Sequence, residues 1–253
     1  MDRRAEPPTP EELTVEQRRA LTAFLGQYVT ENKRTKIRQV LEYRTYYVTI
    51  ALEDIYQPQN ASATIRTCEC LGVQTVHVIE NRNEFRVSPK VTQGASKWVD
   101  IRRYRAPGQD NTARCIQDLR DRGYRIVATT PNATHCYTPE EIPLERPLAF
   151  LFGNEEEGLS PRALEHADAY LRLPMYGFTQ SYNISVSVAM TLTHVISRLH
   201  ASDHPWRLTA EEREALTLTW YRRIVRRHRE LEAYFWEQLQ QPPRARRGDE
   251  NRG

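Results

Sequence analysis

The sequence predicts an α/β fold built on a largely parallel sheet. From residue 47 onward, short strand-like runs at 47–52, 75–80, 99–104, 124–129, 147–152 and 169–173 alternate with helical stretches near 61–71, 89–96, 110–122 and 160–167. Such alternation is the signature of parallel strands joined by crossover helices. The chain is also long enough, at 253 residues with 39% hydrophobic content, to bury one large core or a core plus a small appendage.

The elements follow in order. Residues 1–12 are rich in proline and charge and are expected to be disordered. Thr14 with Gln17 reads as a capping box opening a helix, and a second helical stretch lies near 33–44. Helix 61–71 turns Ile65, Cys68 and Leu71 inward and stops at Gly72. Ser160 followed by Pro161 is a favourable helix start. The run 169–173 ends at Pro174, which has no N–H for a sheet ladder. A longer helix at 184–200 places Ile184, Val188, Leu192, Val195 and Leu199 on one buried face. A second capping box at Thr209 and Glu212 opens a final helix expected to run to about Leu239. Its stripe of Leu216, Trp220, Ile224, Leu231, Phe235 and Leu239 needs a partner, either the central domain or a second subunit. Residues 242–247 read as a mobile basic tail. The expected divisions are thus a basic helical extension at 1–45, the α/β domain at 46–200, and a helix with a basic tail at 201–253.

No run of eighteen apolar residues exists, and the N-terminus lacks the apolar core of a signal peptide, so a cytoplasmic protein away from membranes is expected. Four cysteines agree with a reducing compartment. Cys68 and Cys70 stand two apart on one helix and point to different faces, which suits neither a disulfide nor a zinc site, and no metal is expected. The formal net charge is +3, but it is unevenly spread. Residues 1–45 hold nine Lys and Arg against seven Asp and Glu, and residues 220–253 hold nine against five, leaving the middle slightly acidic. The dense clusters are Lys33, Arg34, Lys36 and Arg38, and Arg222, Arg223, Arg226, Arg227 and Arg229. Each suits contact with nucleic-acid phosphates or forms a solvated helix face.

Three segments concentrate polar chemistry. Residues 173–188, LPMYGFTQSYNISVSV, crowd amides and hydroxyls just ahead of a buried helix, as an ordinary capped loop or as a pocket for a small polar ligand. Residues 60–67, NASATIRT, open helix 61–71. Residues 148–160, LAFLFGNEEEGLS, run from a strand into a glycine-bounded acidic turn. That turn lacks the Lys-Ser/Thr ending of a phosphate loop, and its three carboxylates would repel phosphate. By itself it reads as a glutamate-rich surface turn; beside the other two segments it suits a nucleoside-type ligand with a positive centre. No GxGxxG dinucleotide fingerprint is present.

Together, over roughly residues 47–200, these segments resemble the three motifs of the SPOUT superfamily of RNA methyltransferases, and within it the TrmH (SpoU) family of ribose 2′-O-methyltransferases. Residues 94–98, GASKW, and the short ends look most like the branch that methylates tRNA guanosine. The resemblance implies a SPOUT-type sheet with helices on both faces, a C-terminal trefoil knot, dimerisation through that knot, and S-adenosylmethionine as cofactor. It carries the active-site set onto Asn60, Arg66, Glu155, Ser181 and Asn183, and the cofactor set onto Thr129, Gly153, Leu173 and Tyr182. Tyr182 departs from the leucine usual at its position. Related enzymes are proposed to use the arginine matching Arg66 as a base. A guanidinium stays protonated at ordinary pH, so residue chemistry favours Arg66 as phosphate anchor and alkoxide stabiliser. Asn60 and Asn183 also read as helix caps. Lys97 matches a position near the RNA, with Lys33, Arg34, Lys36, Arg38, Arg222, Arg223, Arg226 and Arg227 as further RNA contacts. The expected function is methylation of a D-loop guanosine ribose in tRNA, with no DNA partner. Another RNA ribose, in rRNA or the anticodon loop, or a non-catalytic RNA-binding role, are the alternatives.

Overall fold

The structure, a computed structural model, describes residues 7–240. The elements run α1 (Val15–Gly26), α2 (Glu31–Leu41), β1 (Val48–Glu53), α3 (Pro58–Cys70), β2 (Thr75–Ile79), α4 (Pro89–Thr92), β3 (Asp100–Tyr104), α5 (Asn111–Asp121), β4 (Arg125–Thr129), β5 (Leu148–Phe152), α6 (Pro161–Glu165), β6 (Ala169–Leu171), α7 (Ile184–His200), α8 (Ala210–Ile224) and α9 (His228–Gln240). The chain divides into a central unit, Val40–Leu208, and a second unit formed by its two ends, up to Gln39 and from Thr209 on.

All six strands are parallel, in the order β3-β2-β1-β5-β4-β6. The side-chain period of two sends alternate residues to opposite faces. Ile50, Leu52, Val127, Phe150 and Phe152 pack with Ile65 and Cys68 of α3 and with Ile184, Val188, Leu192 and Val195 of α7. Ala51, Ile126, Ala128, Ala149 and Leu151 pack with Cys115, Ile116 and Leu119 of α5 and Ala163 of α6. A sheet covered on both faces explains why the central strands read as continuous apolar runs. All five residues expected to form the inward stripe of α7 are buried. Cys68 and Cys115 lie in these cores, where burial pushes each thiol up, while Cys70 is exposed, and all four cysteines are free.

Four expectations are corrected. Residues 9–12 form a turn, with the Glu12 N–H donating to the Thr9 carbonyl at 3.1 Å, so the expected disorder does not extend over those four residues. Residues 1–6 and the tail at 242–247 lie outside the described residues. The stretch 89–96 is broken: Gln93 turns left-handed (φ 47), ending α4, and a 3-10 turn follows at Ala95–Lys97. The C-terminal helix is likewise two helices, because Val225 is extended and Arg227 left-handed (φ 58). Two contacts accompany the break. In one continuous helix residues 222 and 232 would lie about 15 Å apart along the axis. Instead both Glu232 carboxylate oxygens accept from Arg222, at 2.9 and 2.8 Å, and Phe235 reaches Phe24 of α1 with ring centroids 5.2 Å apart. Leu239 lies on the exposed side of α9.

Gly72 links α3 to β2 at φ 78, and a Cβ there would sit 2.1 Å from the Tyr43 carbonyl oxygen. Gly72→Ala is expected to cost at least about 2 kcal/mol from left-handed strain and crowding. Thermal unfolding should fall by roughly 4–8 °C. An unchanged melting temperature would show that residues 43–45 yield freely.

Candidate active site

Strand order places the site. The chain steps outward from β1 to β2 and β3, then returns so that β5 pairs with β1 and β4 with β5. Ligands of open parallel sheets bind beyond the carboxyl ends of the strands where such an order reverses. A cavity of about 420 Å³ lies beyond the carboxyl ends of β4, β5 and β6, on the β5 side of that reversal. Thr129 closes β4, Gly153 follows β5, Leu173 lies two residues past β6, and Tyr182 comes from the loop before α7; all four line it. Glu155 and Ser181 line it as well.

The acidic turn forms one wall. A Cβ on Gly153 would fall 2.0 Å from the backbone carbon of Gly158, so the turn closes too tightly for any side chain at Gly153. Asn154 stiffens it by accepting from the Glu156 and Glu157 N–H groups at 3.0 and 2.8 Å. Glu155, Glu156 and Glu157 all border the cavity. Backbone polar groups brought close by glycine, with carboxylates beside them, fit a nucleoside carrying a positive centre, as S-adenosylmethionine does. The opposite wall is the loop 173–183, where the Tyr182 hydroxyl donates to the Pro174 carbonyl at 3.0 Å. A leucine could not make that bond, so the departure at Tyr182 ties the loop back on its own start.

Beside the cavity Asn60 links the motifs. Its amide nitrogen donates to Glu155, and its oxygen accepts from the Asn183 amide at 3.1 Å. Asn60 is buried in the first turn of α3, which begins at Pro58 with Gln57 as N-cap; the capping role expected for Asn60 is corrected. Asn183 does cap α7, its oxygen accepting from the Ser185 N–H at 2.9 Å. Residues from three separate segments thus meet in one hydrogen-bonded row.

This chain matches the profile of the SpoU rRNA Methylase family over residues 47–193. It belongs to that family. It is 42% identical over 208 residues to the tRNA (guanosine(18)-2′-O)-methyltransferase of Borreliella burgdorferi, covering 82% of this chain and 93% of that one. With the enzyme of the same name from Thermus thermophilus it shares 32% over 197 residues, 77% of this chain and 98% of the other. Among solved structures, the A. aeolicus TrmH/SpoU tRNA modifying enzyme superposes with a TM-score of 0.67 at 28% identity, covering 76% of this chain and 96% of that one.

For this SpoU family chain the remaining expected residues are placed as follows. Arg66 is exposed on α3, outside the cavity lining and about 9 Å further along the helix axis than Asn60. Lys97 is exposed at the end of the 3-10 turn. Lys33, Lys36 and Arg38 are exposed on α2. Arg34 and Arg38 both pair with Glu31, at 2.6 and 2.9 Å, and hold its carboxyl below the ordinary value, Arg38 most. Arg223, Arg226 and Arg227 are exposed around the α8–α9 break. Arg222 is not a surface cation: its side chain is 12% exposed and committed to the buried Glu232. Sequence reasoning also passed over Glu53 and Asp54, which carry no motif and lie at the end of a strand.

Gly153→Ala tests the wall directly. Its Cβ would meet backbone atoms, so the turn must open, and ligand affinity at the cavity should fall by at least about a hundredfold. Calorimetric titration with S-adenosylmethionine measures it; wild-type affinity would mean the turn is not part of the binding wall.

Proposed function

We propose that the chain transfers a methyl group from S-adenosylmethionine to the ribose 2′-hydroxyl of a guanosine in the D-loop of tRNA, at the position 18 named in its relatives. One observation carries the reading: a cavity of nucleoside size borders a row of hydrogen-bonded side chains, Asn183, Asn60 and Glu155, drawn from three segments. The relatives' names supply the acceptor.

When bound, S-adenosylmethionine supplies an electrophilic methyl on a sulfonium. The chain's own residues do the rest. Thr129, Gly153, Leu173 and Tyr182 hold the adenosine end, and the carboxylates of the turn offset the positive sulfur. Asn60 fixes Glu155 in place while Asn183 fixes Asn60. An ionised carboxylate accepts a hydrogen bond and a guanidinium only donates, so Glu155 faces the 2′-hydroxyl, with Ser181 beside it. The hydroxyl grows strongly acidic as its oxygen gains the methyl, and a carboxylate then suffices to take the proton. Arg66 grips the target phosphate and so holds the acceptor ribose in place. Lys97, Lys33, Arg34, Lys36, Arg38, Arg223, Arg226 and Arg227 bind further phosphates; Arg222 is withdrawn from that set.

The same reading includes a homodimer through a knotted C-terminal segment. It draws on the exposed apolar residues Tyr176 (96%), Phe178 (108%) and Val186 (44%) on the loop before α7 and on α7 itself, which a lone chain leaves wet. Among the described residues no helix is long and apolar enough to cross a membrane, and a cytoplasmic site of action is proposed with the tRNA substrate.

Purified protein, S-adenosylmethionine and an unmodified tRNA transcript test the central claim by nuclease mapping of the product. One methyl on the ribose of the D-loop guanosine is expected. Methylation in the anticodon loop, on a base, or on a ribosomal fragment alone would reject it. In this assay Arg66→Ala should lose about a hundredfold or more in rate with cofactor affinity unchanged, and Glu155→Gln should also slow turnover. An active Arg66→Ala enzyme would remove that residue from the mechanism.

Neutralising Arg223, Arg226 and Arg227 together should weaken tRNA binding regardless of sequence. The slope of log affinity against log salt should flatten by roughly 0.7 to 0.9 for each phosphate that is no longer neutralised. An unchanged slope would return the cluster to a solvated helix face.

A further inference from the structure

Two acidic residues stand side by side at the end of β1, Glu53 and Asp54, only 3% and 4% exposed. Neither lines the cavity. Both instead anchor backbone from elsewhere in the fold. Glu53 accepts from the Ser160 N–H at 2.8 Å, from the Ser160 hydroxyl at 2.8 Å, and from the Thr112 hydroxyl of α5. Asp54, left-handed at φ 52, accepts from the N–H groups of Asn81, Arg82 and Asn83 at 2.8, 2.8 and 3.3 Å. The two systems close on each other. The Asn81 amide donates to Thr112 at 2.9 Å, and the Arg82 guanidinium grips Glu157 in the acidic turn.

The turn 153–158 is therefore held twice, by Ser160 at its exit and by Glu157 on its rim. The two holds are unequal. Arg82 and Glu157 are each more than half exposed, so solvent and salt weaken their attraction. Glu53 is buried, and a buried carboxylate depends on its donors. Ser160 is also the N-cap of α6, its oxygen accepting from the Ala163 N–H at 3.2 Å while its proton serves Glu53. Moving Glu53 would move the exit of the turn and the start of a helix together.

We propose that Glu53 is a positioning residue for methyl transfer: its carboxylate fixes the acidic turn against the end of β1 and so holds Gly153 and Glu155 at the cavity. This rests on the reading of the cavity as the S-adenosylmethionine site. Glu53 touches neither donor nor acceptor and acts through Ser160. Glutamine would keep one oxygen for the Ser160 N–H and turn an NH2 group toward the Ser160 and Thr112 hydroxyls, both of which donate to the carboxylate and would have to reverse.

The test compares Glu53→Gln, Ser160→Ala and Thr112→Val in the full chain, by titration with S-adenosylmethionine and by steady-state kinetics with tRNA. Glu53→Gln and Ser160→Ala should weaken cofactor affinity about tenfold or more, raise the KM for cofactor and lower kcat, with the KM for tRNA unchanged. Thr112→Val removes a donor on the α5 side; it should lower the melting temperature while cofactor affinity stays within about twofold. A folded Glu53→Gln enzyme with wild-type cofactor affinity overturns the proposal. So does Thr112→Val weakening the cofactor as much, since that would be general loosening. Should Glu53→Gln fail to fold, wild-type affinity in Ser160→Ala overturns it alone. No binding by the unaltered protein would instead strike the cavity reading, and the inference with it.

Discussion

A strand paired on both sides has no free edge and little freedom to slide. β5 is such a strand: Leu148 to Phe152 pair with Val48 to Leu52 on one side, and Leu148 to Leu151 with Arg125 to Ala128 on the other. Slipping it by one residue would turn Phe150 and Phe152 away from α3 and α7 and bring Ala149 and Leu151 in their place. The register therefore fixes where β5 ends, and Gly153 is the next residue. Thr129 and Asp54 stand at the ends of the flanking strands for the same reason. The cavity is a consequence of where β4, β5 and β6 stop.

Polar groups divide by depth. The surface ion pairs on α2 gain little in solvent, which screens them. Buried groups behave differently, since an unpaired one costs about 1–3 kcal/mol, more if charged. Glu53, Asp54 and Asn60 are all buried and all hydrogen-bonded to residues distant in sequence. Each fastens one loop to another. Glu232 does the same in the terminal unit, where its pairing with Arg222 goes with the break between α8 and α9.

Much of this was legible in the sequence, for identifiable reasons. Short strand-like runs alternating with helical stretches marked the six strands, and period-3.6 patterning marked the inward stripe of α7, because core burial dictates those positions. The capping boxes at Thr14 and Thr209 marked helix starts because the bonds that make them are local. The four residues expected at the cofactor cavity line it, since each sits at or just past a strand end or in a loop bounded by one. What the sequence hid depends on distant partners. The α8–α9 break shows no proline or glycine; it accompanies a pairing across ten residues and the approach of Phe235 to Phe24. Asn60 resembled a cap because cap and ligand positions share residue types, and only the start of α3 at Pro58 separates them. Glu53 resembled the polar end of a strand, and nothing local announces that Ser160 will meet it.

α3 also sets a distance. Its first turn buries Asn60 beside the cavity, and Arg66 emerges exposed about 9 Å further along the axis. A rigid helix between them fixes how far apart the two kinds of chemistry lie. Under the proposed function this spacing separates roles that would conflict if merged. Asn60 works in a place with little water, where a hydrogen bond is strong and a misplaced one costly. Arg66 works where a phosphate can arrive with its solvent and leave again. A guanidinium in Asn60's place would bury a charge beside a cationic donor, and an amide in Arg66's place would offer phosphate no charge. Ile65 and Cys68, packed into the core shared with α7, fix the rotation of the helix that makes both placements possible at once.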